Sequence, residues 1–394
     1  MHYRIRKVIF LIFLSIFVIG APTIVFYTAG YRLNFTTLKV QQTGVIALSS
    51  IPKGATVFLN EISTNNKTPY VIQRLSPGDY TISMSKEGYK PWEQRVSVNS
   101  GATAYVTGVL FADSTPELLL PLEAIAIAGD RNGRFINILT KNLSEEDSQD
   151  IVRFDTVTQI SRTLATIPGS YTSLKLSHDE SILVLDDGMR VIAVSAETGT
   201  ILGVDALDSA INPLPDYIFL DNGTNTELKN ANDNSLVALL PPGEYSVAFR
   251  NTAYAILNDS RDRTYLFTFT TGAVTQINLP TTLIAMNESE MLFVGSDGNE
   301  IDFYDPNSGT TTLIARQSTP IISIGWYGNG EAVICATKEE IFAIAKDKYE
   351  TREVTPLVNA SDILGMWPDT TGKSVTFFGK INEVSGIWTV ALIQ

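Results

Sequence analysis

Few side chains in this sequence could perform chemistry near neutral pH. Of its two histidines, His2 precedes a long apolar segment, so His178 is the one candidate general base in the remainder of the chain. It stands in the tetrapeptide Ser-His-Asp-Glu between two apolar runs, a setting that reads as a turn. One cysteine, Cys335, and two histidines exclude a disulfide framework and any zinc site built from several Cys or His ligands. Cys335 lies in AVICAT and reads as a small packed hydrophobe. No Gly-x-Ser-x-Gly elbow, His-Glu-x-x-His pair or Walker loop is present. The acidic run Glu145, Glu146, Asp147 and Asp150 offers hard oxygens, but lacks the alternating ligands and glycine of a calcium loop and reads as solvated. The 42 acidic residues leave a glycosidase pair neither excluded nor supported. No catalytic, cofactor or metal residue is therefore assigned. Trp326, Tyr327 and Trp367 are the candidate ligand face, because aromatics supply large contact area; packing at a core or rim is the alternative for each.

The elements around these residues follow from composition and pattern. With 44% hydrophobic and 18% charged residues in 394, the chain is of the folded class rather than the disordered one. A net charge of -13, with no basic stripe, speaks against nucleic acid as a partner. Residues 8–30 contain no charged side chain, and at about 1.5 Å per residue they reach across a hydrocarbon core. Arg4, Arg6 and Lys7 precede this segment and Arg32 follows it. That bias predicts a single-pass anchor with residues 1–7 in the cytoplasm and the bulk of the chain extracytoplasmic. A cleaved signal peptide is the alternative, but the apolar stretch is long for one and Pro22 makes a poor cleavage position.

After a juxtamembrane linker, 31–43, residues 44–111 show short apolar and polar alternations broken by Gly and Pro, the pattern of half-buried strands. Pro52 and Gly54 read as a turn delivering Thr56 to Leu59 into a strand, and Pro77-Gly78 suits the centre of a type II turn. The run GVIALSSIPKGATVFLNE, then Thr68-Pro69, then LSPGDYTISMSKEGYKPW, resembles the PEGA domain. Pro52, Gly54 and Ala55 keep the motif, with Lys53 where Glu is common and Lys67 replacing a usual Gly. The resemblance implies a small β-sandwich of prokaryotic cell-envelope proteins, used for attachment or presentation rather than chemistry. Pro52, Gly54, Ala55, Pro69, Pro77, Gly78, Gly88 and Tyr89 are accordingly turn and packing residues, with a surface binding role for Tyr89 or Trp92 the alternative.

Beyond a second linker, 112–123, residues 124–394 carry many short β-rich runs at close intervals and no long helical spacing. Segments 176–201 and 286–314 share one order: polar turn, strand, Asp-Gly hairpin at Asp187-Gly188 or Asp297-Gly298, strand, and a closing Gly-Thr turn. A four-strand unit of about 40 residues is the period of a β-propeller blade. The expectation is a mainly β fold: one transmembrane helix, a PEGA-like sandwich, then a propeller of seven blades, six being possible. Repeats start near Ala124, Tyr171, Ile211, Glu244, Thr282, Thr319 and Ala360. The layout resembles WD-repeat and TolB-like propellers without their sequence signatures, and a pair of β-sandwiches is the competing architecture. SGIWTV around Trp388 reads as the last strand of the ring, and the first and last blades must pair to remove its edges.

The functional expectation is a membrane-anchored envelope protein that presents a propeller to a protein or glycan partner without turning it over. The alternatives are an envelope hydrolase using carboxylates in the propeller channel, and a structural subunit of a surface layer or secretion assembly.

Overall fold

The computed structural model describes residues 2–28, 30–34, 39–203, 214–328, 330–346 and 352–394. The single described helix, His2–Thr28, contains Pro22, and its stretch Arg6–Thr28 is long and apolar enough to cross a membrane, with its side chains exposed. Both expected linkers contain strands. Tyr31–Asn34 pairs antiparallel with Lys39–Gln42, and Glu117–Pro121 joins a sheet described below. Two compact units follow the contacts: residues 1–113, and residues 114–346 with 354–394.

In the first unit, alternation places every second side chain inside. Gly44–Ile51 lies between Tyr70–Leu75 and, in parallel, Thr103–Val109. A second sheet orders Ile62–Lys67, Thr56–Leu59, Gly78–Ser85 and Trp92–Val98. Ile46, Leu48, Val57, Ile82, Met84, Trp92 and Val106 form the core between them. Trp92 is 2% exposed, so it is a core residue and not a surface contact. Tyr89 packs against the same core and bridges to Ala112. Pro52 and Pro69 follow cis peptide bonds. The Thr68 hydroxyl meets the Ser50 hydroxyl and accepts the N–H groups of Gly54 and Ala55 at 3.1 Å, which ties the two proline segments together. Gly54 and Gly88 take φ of +87° and +78°, where a side chain would be strained. Gly78 differs from expectation: at φ +152° it opens a strand directly, outside the range of the third residue of a type II turn.

The second unit holds seven antiparallel sheets in succession among the described residues. The first runs from Ala126–Gly129 to Ile160–Pro168, the second from Ser173–Leu176 to Ile201–Leu202, and the third from Tyr217–Asp221 to Leu236–Leu240. The fourth runs from Tyr245–Arg250 to Ala273–Ile277, the fifth from Leu283–Asn287 to Thr310–Arg316, and the sixth from Ser323–Trp326 to Val354–Asn359. All have four strands except the third, with three described. The predicted repeat start at Ile211 lies outside the described residues. The seventh sheet takes Ser361–Pro368, Ser374–Ile381 and Val384–Ala391 from the end of the chain and Glu117–Pro121 from before the first sheet. The ring is thus closed within one sheet, which removes its open edge, and the result is a propeller-like fold.

Interior strands such as Ala332–Ala336 and Leu292–Ser296 are buried on both faces because neighbouring sheets pack against each of them. Continuous apolar runs, not alternation, are therefore their sequence mark. Cys335 is fully buried in one of them. The Asp-Gly turns use a mixed device. Gly188 takes φ +85°, while the Asp187 carboxylate accepts the N–H groups of Met189 and Arg190 at 2.8 and 2.7 Å. Asp297 does the same for Asn299 and Glu300.

Candidate functional site

Six of the seven sheets send one edge strand, in whole or at its end, and the turn after it to one cavity of about 670 Å³; in the seventh that strand is Ser361–Pro368. Its wall comprises Gly129 to Asn132, Leu176 to His178, Ala248 to Asn251, Leu283 to Ser289, Ser323 to Trp326, and Met366 to Pro368, with Glu180, Gly328 and Thr370. These edge strands converge on an axis because each sheet packs face to face with the next, so the innermost position is the one they share.

Neighbouring sheets interlock at this wall. Trp367 lies against the first sheet, where a Cβ on Gly129 would sit 2.2 Å from its Nε1 and one on Gly133 would sit 2.6 Å from its Cβ. Only glycine leaves room for the indole. Trp326 donates its Nε1–H to the Ala285 carbonyl at 3.3 Å, from the sixth sheet to the fifth. Ser323 donates to the Met366 carbonyl at 3.1 Å, from the sixth to the seventh. Trp326 and Trp367 therefore reach one cavity, although Trp326 is 8% exposed and serves the inter-sheet core as well. Tyr327 is 4% exposed and does not line the cavity.

Of the polar groups on this wall the sequence singles out His178 alone, as a turn residue; Arg131 and Arg250 carry no local signal. Arg131 donates to the His178 carbonyl at 2.9 Å, and its backbone N–H reaches a Glu180 carboxylate oxygen at 2.9 Å. Its guanidinium stands 5.8 Å from the Phe249 ring, so the first sheet touches the fourth across the axis. Arg250 faces Asp216 at 3.4 Å. Burial, and then the charges of Arg131 and Arg250, hold the His178 imidazole below its ordinary 6.5, with Asp179 pulling weakly the other way. Burial raises the Asp130 carboxyl, and Glu180 adds to this, against backbone hydrogen bonds from Phe135 and Arg134. That carboxylate is held by its own turn, accepting Arg134 N–H at 2.7 Å. The wall mixes indole, amide, guanidinium and carboxylate groups, a set suited to holding a polar ligand against aromatic surface.

Elsewhere, the Asp150 carboxylate takes Asn142 and Thr166 hydrogen bonds at 2.9 and 2.6 Å. Burial pushes the Cys335 thiol far up, consistent with an inert packing role.

Residues 43–112 match the family model of the PEGA domain. No curated protein matches the chain. Among solved structures, a chain from "Crystal Structure of Mitotic Checkpoint Complex" is similar at 10% identity and a TM-score of 0.42, covering 70% of this chain and 91% of that one.

Proposed function

We propose that this PEGA-domain chain is a single-pass membrane protein of a prokaryotic envelope that holds residues 44–111 and 124–394 outside the cytoplasm and binds a protein or glycan partner at the axial cavity. The excess of Arg and Lys before the apolar helix supports the orientation. The observation that carries the binding reading is the convergence of six sheets on one cavity walled by Trp326, Trp367, Arg131 and Arg250. Two of the three carboxylates on that wall, Asp130, Glu180 and Glu288, are already engaged, Asp130 by its own turn and Glu180 by Arg131, which supports binding over hydrolysis.

The test is a photo-crosslinking residue at position 132, on the cavity wall, in the full chain expressed in cells. Position 143 is the control: Leu143 is 99% exposed in the turn at the opposite end of its strand. A discrete adduct from 132 alone, on the external side of the membrane, is expected. Equal adducts from both positions, or none from 132, would overturn the reading.

A further inference from the structure

A second cleft, of about 660 Å³, opens between the first and second sheets. Two arginines line it, and the register sets them directly opposite each other: Arg153 on Ser148–Asp155 pairs with Arg162 on Ile160–Pro168. Opposed residues of neighbouring strands project from the same face with Cβ atoms about 4.5–5.5 Å apart, and like charges in that position are destabilising. The nearby Arg131 and Arg134 each face a carboxylate, at 3.9 and 3.5 Å. Among the described residues, Arg153 and Arg162 form no such ion pair. Each donates instead to a backbone carbonyl of the second sheet's last turn, Arg153 to Ala196 and Arg162 to Glu197, the latter at 2.8 Å.

Arg153 is also fixed from below. Its guanidinium stands 4.1 Å from the Phe135 ring, and its Nε is buried with no hydrogen-bond partner among the described residues. Burial, and next the charge of Arg162, make its protonated form less favourable than usual. The fold therefore holds two guanidiniums side by side and orients them through carbonyls and an aromatic ring, while Asp130, Glu197 and Asp155 offset part of the repulsion on Arg153 by charge without any of them pairing with it directly. Paired guanidinium forks match the geometry of carboxylate and phosphate.

We propose that this cleft binds an oxyanion, a phosphate or carboxylate group carried by a ligand, between Arg153 and Arg162. The carboxylates that share the cleft are placed to allow it. Asp155 accepts the N–H groups of Val157 and Thr158 and faces Arg134, and Glu180 is engaged by Arg131. Glu197 is exposed at the cleft and opposes the incoming charge, so its removal strengthens binding. The inference is independent of the reading of the axial cavity.

The experiment is thermal melting of the full chain in detergent micelles, titrated separately with inorganic phosphate and with glucuronate, with sodium chloride holding ionic strength constant. A saturable rise in Tm is expected with at least one anion, and the stronger of the two identifies the oxyanion. Arg162→Gln and Arg153→Gln each weaken the apparent affinity at least tenfold, Glu197→Gln strengthens it, and Arg316→Gln, in the fifth sheet, leaves it unchanged. Arg162 is exposed, so Arg162→Gln carries the test if Arg153→Gln fails to fold. A wild-type chain indifferent to both anions, or a response that survives Arg162→Gln, overturns the proposal.

Discussion

At the scale of single residues, His178 shows how position changes meaning. Read along the chain it is a turn residue, and it does occupy the turn after the first strand of the second sheet. That turn also meets the axial cavity, beside Arg131 and Arg250. Its imidazole is held below 6.5 in the folded chain, by burial first and the two arginines next, so the unfolded chain takes up a proton more readily. Unfolding is thus favoured as pH falls from about 6.5 toward the folded value, with no contribution from this group above that window. A urea titration repeated from pH 7.5 to 5 is expected to show a loss of stability that His178→Gln reduces. An unchanged pH slope in that variant would show that other groups dominate.

At the scale of elements, glycine decides how sheets meet. Gly129 ends the first strand of the first sheet, and a Cβ there would lie 2.2 Å from the Trp367 indole nitrogen, a rigid neighbour that cannot yield cheaply. Gly129→Ala is expected to cost about 1–3 kcal/mol, the usual range for overpacking a tight interior, and to shift Trp emission as the indole moves. Melting curves with fluorescence detection check both. Such packing was not legible in the sequence, because Gly129 and Trp367 are far apart in it and meet only when the first and seventh sheets become neighbours. Local devices were legible: the Asp-Gly turns, the Pro52–Gly54 turn and the all-β pattern follow from short-range chemistry. The register that opposes Arg153 to Arg162 was not, since a slip of one residue, invisible in composition, would send one of them to the other face.

At the scale of the whole molecule, the strand Glu117–Pro121 matters more than its length suggests. Its residues read as part of a linker, five positions ending in proline, and nothing local says that they complete a sheet begun at Ser361. Leu118, Leu119 and Leu120 are half-buried there, and Gly386 makes room, since a Cβ on it would meet the Leu120 carbonyl at 2.2 Å. Deleting residues 117–121 exposes the edge of Val384–Ala391. It is expected to lower stability by at least about 2 kcal/mol and to bring rapid proteolysis and self-association. Limited proteolysis and light scattering measure this, and a deletion variant as resistant as the parent would mean that the ring does not need its clasp.

The same clasp imposes an order of events. Of the strands of the ring, Glu117–Pro121 leaves the ribosome first, while its hydrogen-bonding neighbour Val384–Ala391 leaves last. Six sheets can form on the growing chain, but the circle waits for the final strand. A chain stalled before that point presents a ready template for pairing with its neighbours, which makes synthesis, rather than the finished protein, the stage most exposed to aggregation.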